Sequence, residues 1–212
     1  MSSTIKCTNA IARVMLPAHS AGHPGNYILL FLNCADSSPP ARRGFPGTCR
    51  QPLHRYNSAM KITDILNHEL IIADLTSKTK KSVLEELVSH LAHYEKKVDR
   101  EELLRVLLER EKLGSTGIND GVAIPHGKLK NIDELLALFG RSTEGVDFGA
   151  LDGKPSHLFF LLVAPASSAG AHLKALARIS RIARNESFRG SCMKAKTREE
   201  LFQLIVEEDE KN

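Results

Sequence analysis

An α/β fold with a buried sheet is predicted for the larger, later part of this 212-residue chain. Three apolar runs have the length and composition of strands: "ELIIADL" (69–75), "LLALFG" (135–140) and "HLFFLLVAP" (157–165). Amphipathic segments with a helical period lie between and around these runs. Strands that alternate with helices predict a layered fold in which helices cover the sheet.

Apolar spacing and end signals place the first helices. "KITDILN" (61–67) predicts a short helix, and the next helix is predicted over 78–95. Five apolar residues of that segment share one helical face: Val83, Leu84, Leu87, Val88 and Leu91. Asp99 and Glu102 have the spacing of a capping box, so a further helix begins there and ends before Gly114.

Two more helices and a hairpin are predicted in the second half. "AHLKALARISRIARN" (171–185) is a helix whose inward residues are expected to be Leu173, Leu176, Ile179, Ile182 and Ala183. Thr197 and Glu200 form a second capping-box pattern before "REELFQLIVEE". "VAIPH" (122–126) is expected to be extended, and "GRSTEGVDFGALDGK" (140–154) has the turn chemistry of a hairpin. The strands therefore need not all be parallel.

Residues 1–59 differ from the rest in composition. They hold six of the 29 Lys and Arg residues but one of the 25 Asp and Glu residues, and Pro, Gly and Ser are frequent. This composition indicates irregular or disordered chain. It fits a disordered extension, a targeting presequence, or translated upstream sequence with Met60 as the natural start. We favour the last, because regular patterning begins directly at Met60.

Composition argues against several functions. Residues 60–212 hold 23 basic and 24 acidic residues, so the basic pI of the whole chain comes from the N-terminal segment. Basic residues spaced along one helix could bind nucleic acid, but a solvated face is expected instead: Lys174, Arg178, Arg181 and Arg184. Aromatic residues make up 5% of the chain, which disfavours base stacking. We expect no nucleic-acid partner.

Membrane insertion and metal binding are not expected either. No apolar stretch approaches the roughly 20 residues that span a bilayer. Cys192 is the one cysteine after Met60 and suggests a reducing compartment. His90 and His93 could share a helix side, but no third ligand accompanies them. The expected metal site is therefore none.

One histidine stands in a rigid, glycine-rich setting. Pro125 fixes its own φ and biases Ile124 towards extended backbone, so His126 leaves a stiff strand end. Gly127 adds no side-chain bulk beside the imidazole. The preceding loop contains three glycines, whose backbone can approach a ligand closely: Gly114, Gly117 and Gly121.

A neutral imidazole in such a place can accept a phosphoryl group and pass it on. Backbone N–H groups of a glycine-rich turn can bind the phosphate oxygens. The alternative is that His126 is a structural residue at a strand end. A nucleotide-binding P-loop is excluded, because five residues separate Gly121 from Gly127 and Leu129 follows Lys128.

The segment "LLEREKLGSTGINDGVAIPHGK" resembles the signature of IIA domains of the bacterial phosphoenolpyruvate-dependent sugar phosphotransferase system. The resemblance is to the mannitol/fructose class, and most closely to stand-alone nitrogen-regulatory IIA proteins. It extends over 60–212 and includes "LFFLLVAP", "HLKALARISRIA" and "TREELFQLI". It implies a central mixed sheet of about five strands with helices on both sides, and no cofactor.

The resemblance also implies site residues. The phosphorylated histidine of the family falls on His126, its second active-site histidine on His172, and its active-site arginine on Arg110. The loop expected to surround the phosphate comprises Gly114, Ser115, Thr116, Gly117 and Gly127. The family usually has glycine where Asn119 stands, and asparagine tolerates left-handed backbone.

The implied function is that of a cytoplasmic phosphotransferase-type phosphocarrier with a phosphohistidine intermediate. The donor would be the histidine-phosphocarrier protein, and the output regulation of a partner according to phosphorylation state. Two alternatives remain. The chain could be a sugar-transport component that passes phosphate to a separate IIB protein, or a regulatory binding module that is not catalytic.

Overall fold

The computed structural model describes residues 60–211. The predictions about the earlier residues lie outside this range. The helices are Lys80–Tyr94 (α1), Arg100–Lys112 (α2), Ala169–Arg184 (α3), Glu186–Lys194 (α4) and Arg198–Glu210 (α5). The strands are Ile71–Ile72 (β1), Val122–Ala123 (β2), His126–Leu129 (β3), Leu136–Val146 (β4) and Ser156–Pro165 (β5).

The five strands form one mixed sheet, as expected. Its order is β1-β4-β5-β2, and β3 pairs with β5 further along the edge that β2 occupies. β4 and β5 form the predicted hairpin and are antiparallel, whereas the other pairs are parallel. β2 and β3 are thus two pieces of one edge, separated by Ile124 and Pro125.

Helices cover both faces of the sheet. A Cβ on Gly140 of β4 would lie 3.0 Å from Leu87 of α1, and one on Gly127 of β3 would contact α2. The next side chain on β4, Arg141, points to the opposite face and donates to the carbonyl of Cys192 in α4 at 3.0 Å. The fold class predicted from the sequence is confirmed.

Most predicted helices are confirmed, with better-defined ends. All five apolar residues predicted to face inward from α1 are buried. Asp99 accepts from the amide of Glu102 at 2.9 Å, and Thr197 accepts from the amide of Glu200 at 3.2 Å. Gly114 follows α2 with φ of 145°, a conformation that suits glycine.

The inward position of Leu173 was predicted wrongly. The side chain is 66% exposed, whereas Ala175, Ile179 and Ile182 of the same helix are fully buried. Two positions along an α-helix are a turn of about 200°, so Leu173 and Ala175 lie on opposite sides. The residue that shares the inner side near this end is His172.

Some local predictions also change. "ELIIADL" contains two strand residues, Ile71–Ile72, which follow a 3-10 turn at His68–Leu70, and "KITDILN" contains only the 3-10 turn Ile62–Asp64. Helix α4 was not predicted. Its cap is Asn185, whose side chain accepts from the amides of Ser187 and Phe188.

The basic residues along α3 do not form a free stripe. Arg178 is bound to the buried carboxylate of Asp209 and donates to its carbonyl at 3.0 Å. Its side chain is only 14% exposed, which leaves it little access to a ligand. Separately, none of the helices within residues 60–211 is long and apolar enough to cross a membrane.

Candidate functional site

His126 is the first residue of β3, a strand at the edge of the sheet. It pairs in parallel register with Leu162 of β5, and the preceding Pro125 accepts a hydrogen bond from the amide of Leu162 at 2.9 Å. Proline supplies this acceptor and fixes its own φ, so the backbone that carries the imidazole is rigid. His126 is half-buried and faces the side of the sheet on which α3 packs.

The hydrogen bonds of His126 define its tautomer. Nδ1 lies 2.8 Å from the carbonyl oxygen of Ile124, which can only accept, so Nδ1 carries the proton. Nε2 lies 3.3 Å from the Nε–H donor of Arg110. The lone pair of the neutral imidazole is therefore on Nε2.

Burial lowers the pKa of His126 below its ordinary value of 6.5, and the charge of Arg110 lowers it further. The bond to Ile124 and the charge of Glu111 act in the opposite direction. Because burial has the largest effect, the pKa of His126 lies below 6.5 and the imidazole is mainly neutral at pH 7. A neutral imidazole with an available lone pair is a nucleophile.

Arg110 lies in the last turn of α2, sixteen positions before His126. Its NH1 group donates to the carbonyl of Gly114 at 2.8 Å, while its Nε donates to His126. The guanidinium therefore bridges the end of α2 and the imidazole. A planar group with several donors in this position can bind phosphate oxygens beside Nε2.

His172 lies in the first turn of α3, and its ring centroid is 5.5 Å from that of His126. The residue is 8% exposed, and its Nε2 has no hydrogen-bond partner within residues 60–211. Burial lowers the pKa of His172, followed by the charges of His126 and Lys128. An unsatisfied, buried nitrogen next to a nucleophile can bind an incoming polar group.

The beginning of α3 adds further donors near His172. Ser168 occupies the N-cap position, but its hydroxyl donates to the carbonyl of Pro165 at 2.9 Å and caps no amide. The first amides of a helix have no acceptor inside it, and the helix dipole favours anions there. Exposed Lys128, two residues after His126, adds a positive charge on the same face.

The glycine-rich loop is tied by bonds of its own. The amide of Gly114 donates to the backbone carbonyl of Glu111 at 3.2 Å, and that of Gly117 donates to the hydroxyl of Ser115 at 3.1 Å. Thr116 is buried, and both its amide and its hydroxyl donate to the carboxylate of Glu111. Phosphate binding by this loop stays a prediction, and these amides would first have to change partner.

Left-handed backbone in this loop falls on Asp120, with φ of 62°, and on Gly121, with φ of 76°. Asn119, which stands where the resembling family usually has glycine, is not among the residues with positive φ. The substitution is therefore compatible with this backbone.

Gly127 has a packing role that the sequence did not predict, while its expected place in the phosphate loop stays a prediction. A Cβ at this position would lie 2.7 Å from Cγ1 of Val106 in α2. The residue faces away from the imidazole of His126, because consecutive strand residues point to opposite faces. Glycine here allows α2 to approach the sheet closely, and this approach brings Arg110 to His126.

Two residues behind the site were not predicted. The carboxylate of Glu111, whose side chain is 6% exposed, forms an ion pair with Lys80 of α1 at 3.1 Å. Lys80 also donates to the hydroxyl of Ser115 at 3.3 Å, and that hydroxyl donates to the carbonyl of Phe148 at 2.8 Å. Glu111 follows Arg110 directly, so this network fixes the end of α2. The position of Glu111 directly after Arg110 in the stretch E-R-E-K could have indicated a role for it, whereas nothing in the sequence around Lys80 indicated one.

The assembled site has one nucleophilic nitrogen, one guanidinium, one buried imidazole and a helix N-terminus. No group of three or more His, Cys, Asp or Glu residues arranged to hold a metal ion occurs in the described part of the chain. The arrangement can bind a doubly charged oxyanion against Nε2 of His126. The three residues expected to be catalytic are therefore adjacent in space.

Comparison with known proteins identifies a family model and relatives. Residues 64–208 match the model described as phosphoenolpyruvate-dependent sugar phosphotransferase system, EIIA 2. The nitrogen regulatory protein of Bradyrhizobium diazoefficiens is 38% identical over 147 residues, which are 69% of this chain and 95% of that protein. The fructose-specific EIIABC component of Bacillus subtilis is 37% identical over 150 residues, 71% of this chain, but the chain spans only 24% of that longer protein.

Solved structures agree with these matches. The nitrogen regulatory protein IIA-Ntr from Neisseria meningitidis superposes with a TM-score of 0.63 and 34% identity, covering 68% of this chain and 98% of that one. IIA mannitol from Escherichia coli superposes with a TM-score of 0.57 at 22% identity, covering 66% of this chain and 98% of that one, and shows the same fold.

Proposed function

Because the chain belongs to the EIIA 2 family of the phosphoenolpyruvate-dependent sugar phosphotransferase system, we propose that it is a phosphocarrier whose acceptor is Nε2 of His126. We take residues 60–212 as the functional unit and the cytoplasm as its location. The donor is the phosphorylated histidine-phosphocarrier protein. The single observation that carries this proposal is the hydrogen bond from Nδ1 of His126 to Ile124, which leaves Nε2 as the nucleophile.

The transfer step needs no cofactor. Nε2 forms a bond to phosphorus while the P–N bond to the donor imidazole breaks, and the electron pair of that bond returns to the donor. The proton of His126 stays on Nδ1, held by Ile124. A loose, in-line transition state spreads charge over the equatorial oxygens, so positioning and charge stabilisation supply the catalysis.

Arg110, His172 and the first turn of α3 are proposed to bind those oxygens. Arg110 donates to Nε2 before transfer and would turn its N–H groups to the phosphoryl group afterwards. The ring of His172 lies 5.5 Å from that of His126, centroid to centroid, and its buried Nε2 has no hydrogen-bond partner among residues 60–211. A phosphate oxygen in the gap between the rings would satisfy it.

The proposed output is regulation of a partner by phosphorylation state. The nitrogen regulatory relative matches this chain over 95% of its own length, which favours a stand-alone regulator. A dianion on His126 changes the charge of an exposed face, and such a change can switch a protein contact.

The alternative output is transfer to a separate IIB protein. It is favoured by the fructose-specific EIIABC relative, whose name includes further components.

Phosphorylation by phosphoenolpyruvate, enzyme I and the histidine-phosphocarrier protein tests the proposal. We expect one acid-labile phosphoryl group per chain, and none on His126→Ala. The matched control is His157→Ala, which changes a half-buried histidine of β5 outside the site. Undiminished labelling of His126→Ala would refute the acceptor assignment, and no labelling of the intact protein would refute the carrier function.

A further inference from the structure

We propose that the side of α2 that points away from the sheet binds the same side of a second copy of this chain, with the two helices antiparallel about a two-fold axis. This inference goes beyond the proposed function, because it concerns self-association and does not depend on phosphoryl transfer. It follows from the order of apolar and charged side chains along the helix.

The solvent side of α2 carries a shallow cleft. Leu103 and Leu107 are buried beneath the helix, and Val106 lies against the Gly127 position of β3, so the opposite side of α2 points away from the sheet. Among the described residues, side chains of α2 alone line the cleft: Glu101, Leu104, Arg105, Leu108, Glu109 and Lys112. We call these six residues the outer face of α2.

The outer face has the spacing of two adjacent holes. Four side chains at positions i, i+3, i+4 and i+7 of a helix form a hole that accepts one side chain of a second helix. The first hole is formed by Glu101, Leu104, Arg105 and Leu108. The second hole is formed by Arg105, Leu108, Glu109 and Lys112. Leucine is a common side chain to fill such a hole, and the outer face has two leucines.

One antiparallel register fills both holes at once. A two-fold axis at the level of Val106 places Leu108 of each copy over the first hole of the other copy. The same axis places Leu104 of each copy over the second hole, because the two holes are four residues apart and so are the two leucines. The outer face is therefore complementary to itself, as a two-fold interface requires.

The charges of the outer face support the same register. They alternate in sign along the helix, from Glu101 through Arg105 and Glu109 to Lys112. In the antiparallel pair, Glu101 comes opposite Lys112 of the second copy, and Arg105 comes opposite Glu109. A parallel pair would instead bring each charge opposite its own kind. Charge complementarity thus favours a second copy, and the antiparallel orientation, as the occupant of this face.

The central charges are accessible to a second copy. Arg105 and Glu109 are paired at 3.0 Å within the chain, but their side chains are 60% and 57% exposed. His126 faces the side of the sheet on which α3 packs, whereas α2 covers the other side. The proposed contact therefore leaves the reactive imidazole of both copies uncovered.

The expected dimer is weak. Leu104 and Leu108 are already partly buried against the core of their own chain. A single pair of short helices buries less than the roughly 800 Å² per partner of a standard stable interface. We therefore expect a dissociation constant on the order of 0.1 to 1 mM, so that the chain is monomeric at micromolar concentration.

The test is sedimentation equilibrium of the full chain from about 0.02 to 1 mM, in about 0.05 M salt so that surface charges are little screened. Arg105→Glu makes both central positions acidic, and Glu109→Arg makes both basic. Each variant alone should dimerise about tenfold or more weakly than the unmodified chain, because two attractive contacts become repulsive. An equimolar mixture should regain the dimer, since an acidic face then meets a basic one.

The mixture separates the contact between copies from the stability of α2. The bond between positions 105 and 109 within a chain is lost in both variants and stays lost when they are mixed. The matched control makes the same exchange on α1, where Lys81 and Glu85 form an exposed pair at 3.6 Å. Lys81→Glu and Glu85→Lys should dimerise as the unmodified chain does, separately and mixed.

The apolar part of the contact is tested separately. Leu108→Gln should leave no measurable dimer at about 1 mM, because it removes a side chain from each hole. Leu113→Gln is the control, since Leu113 is 84% exposed just after α2 and lies outside the outer face. Because Leu108 also contacts the core, circular dichroism must show an intact fold, and the charge exchange tests the inference without this residue.

Three results would overturn the inference. The first is a chain that stays monomeric at about 1 mM, whether its outer face is free or covered by another segment or another protein. The second is a dimer that neither charge variant weakens, which would place the contact elsewhere. The third is a mixture of the two charge variants that stays monomeric, which would exclude the antiparallel register. None of these results bears on phosphorylation of His126, which is measured independently.

Discussion

Nδ1 of His126 donates a hydrogen bond to the carbonyl oxygen of Ile124, two residues earlier, at 2.8 Å. The contact lies within one stretch of extended chain, so it depends little on distant packing. It directs the second ring nitrogen outwards, towards Arg110 and the gap beside His172. The ring nitrogen that reacts is thus determined by a local bond.

The first prediction is that the phosphoryl group bonds to Nε2. Long-range ¹H–¹⁵N correlation of the chain after treatment with phosphoramidate should show one phosphorylated Nε2 and a protonated Nδ1. His157 provides an internal comparison, because its Nδ1 lies 3.0 Å from the carbonyl of Ser142 but no site surrounds it. Phosphorus coupled to Nδ1 of His126 would contradict the tautomer assignment.

The second prediction concerns the pKa of His126. Burial lowers it, Arg110 lowers it further, and Glu111 raises it. Arg110→Gln should therefore raise the pKa and Glu111→Gln should lower it, as measured by NMR titration of the imidazole proton. Shifts in the same direction in both variants would show that structural disturbance, rather than charge, controls this pKa.

The same lowered pKa predicts how stability depends on pH. The folded chain binds its proton on His126 at lower pH than the unfolded chain, whose pKa is near the ordinary 6.5. Stability from this residue is therefore lost as pH falls from that value through the folded pKa. His126→Gln should flatten this part of the urea-denaturation profile between pH 7 and about pH 5.

The third prediction concerns the ion pair behind the site. Glu111→Gln should reduce the free energy of unfolding by about 1 to 3 kcal/mol, because it leaves Lys80 without its buried partner. The lower part of the range for buried pairs applies, since the side chain of Lys80 is 32% exposed. Glu109→Gln, on the same helix in an exposed pair with Arg105, should change it by less than about 0.5 kcal/mol.

A double variant checks the cause. In Lys80→Met with Glu111→Gln the loss should be smaller than the sum of the single losses, as expected for coupled partners. Additive losses in urea denaturation would contradict a stabilising pair.

The fourth prediction tests the packing role of Gly127. Gly127→Ala should destabilise the chain by about 1 to 3 kcal/mol through overpacking against Val106. Combining it with Val106→Ala should recover part of the loss. Gly190→Ala is the control: a Cβ at Gly190 of α4 would meet nothing within 4 Å, so alanine should stabilise by about 0.5 to 1 kcal/mol.

An unchanged urea midpoint in Gly127→Ala would contradict the close approach of α2 to β3. The same variant should also weaken phosphorylation of His126, because displacement of α2 moves Arg110.

The presentation of His126 could be predicted from the sequence, because proline and glycine act on neighbouring residues through their own backbone preferences. The approach of Arg110 and His172 could not be derived in this way. They join the site through packing of α2 and α3 on the sheet, and only the resemblance to a family indicated them. Lys80 was even harder to predict, because it belongs to α1 and its neighbours in sequence give no sign of a role.

The sheet and the long helices were predictable because their apolar residues follow a regular pattern along the sequence. α1 has a regular apolar face, whereas α4 has nine residues with few apolar side chains and a glycine inside it. Its formation depends on tertiary contacts such as the bond from Arg141 to Cys192. Leu173 shows that apolar character alone does not predict burial. An exposed leucine and a buried one cannot be told apart in a sequence until it is known which side of the helix faces the sheet.

The edge position of β2 and β3 has a consequence for self-association. An exposed sheet edge offers unpaired backbone groups to which a strand of another molecule can add, and long, regular edges favour aggregation. Here the edge is divided into pieces of two and four residues by Ile124 and Pro125, and proline has no amide proton to offer. The preceding loop already covers the first piece, because the amide of Ile118 donates to the carbonyl of Val122 at 2.8 Å and the amide of Ile124 donates to the carbonyl of Thr116 at 3.0 Å. The exposed charge of Lys128 lies in the second piece. The proline that holds the reactive histidine thus also helps to leave only a short piece of this edge to which a strand of another molecule could add.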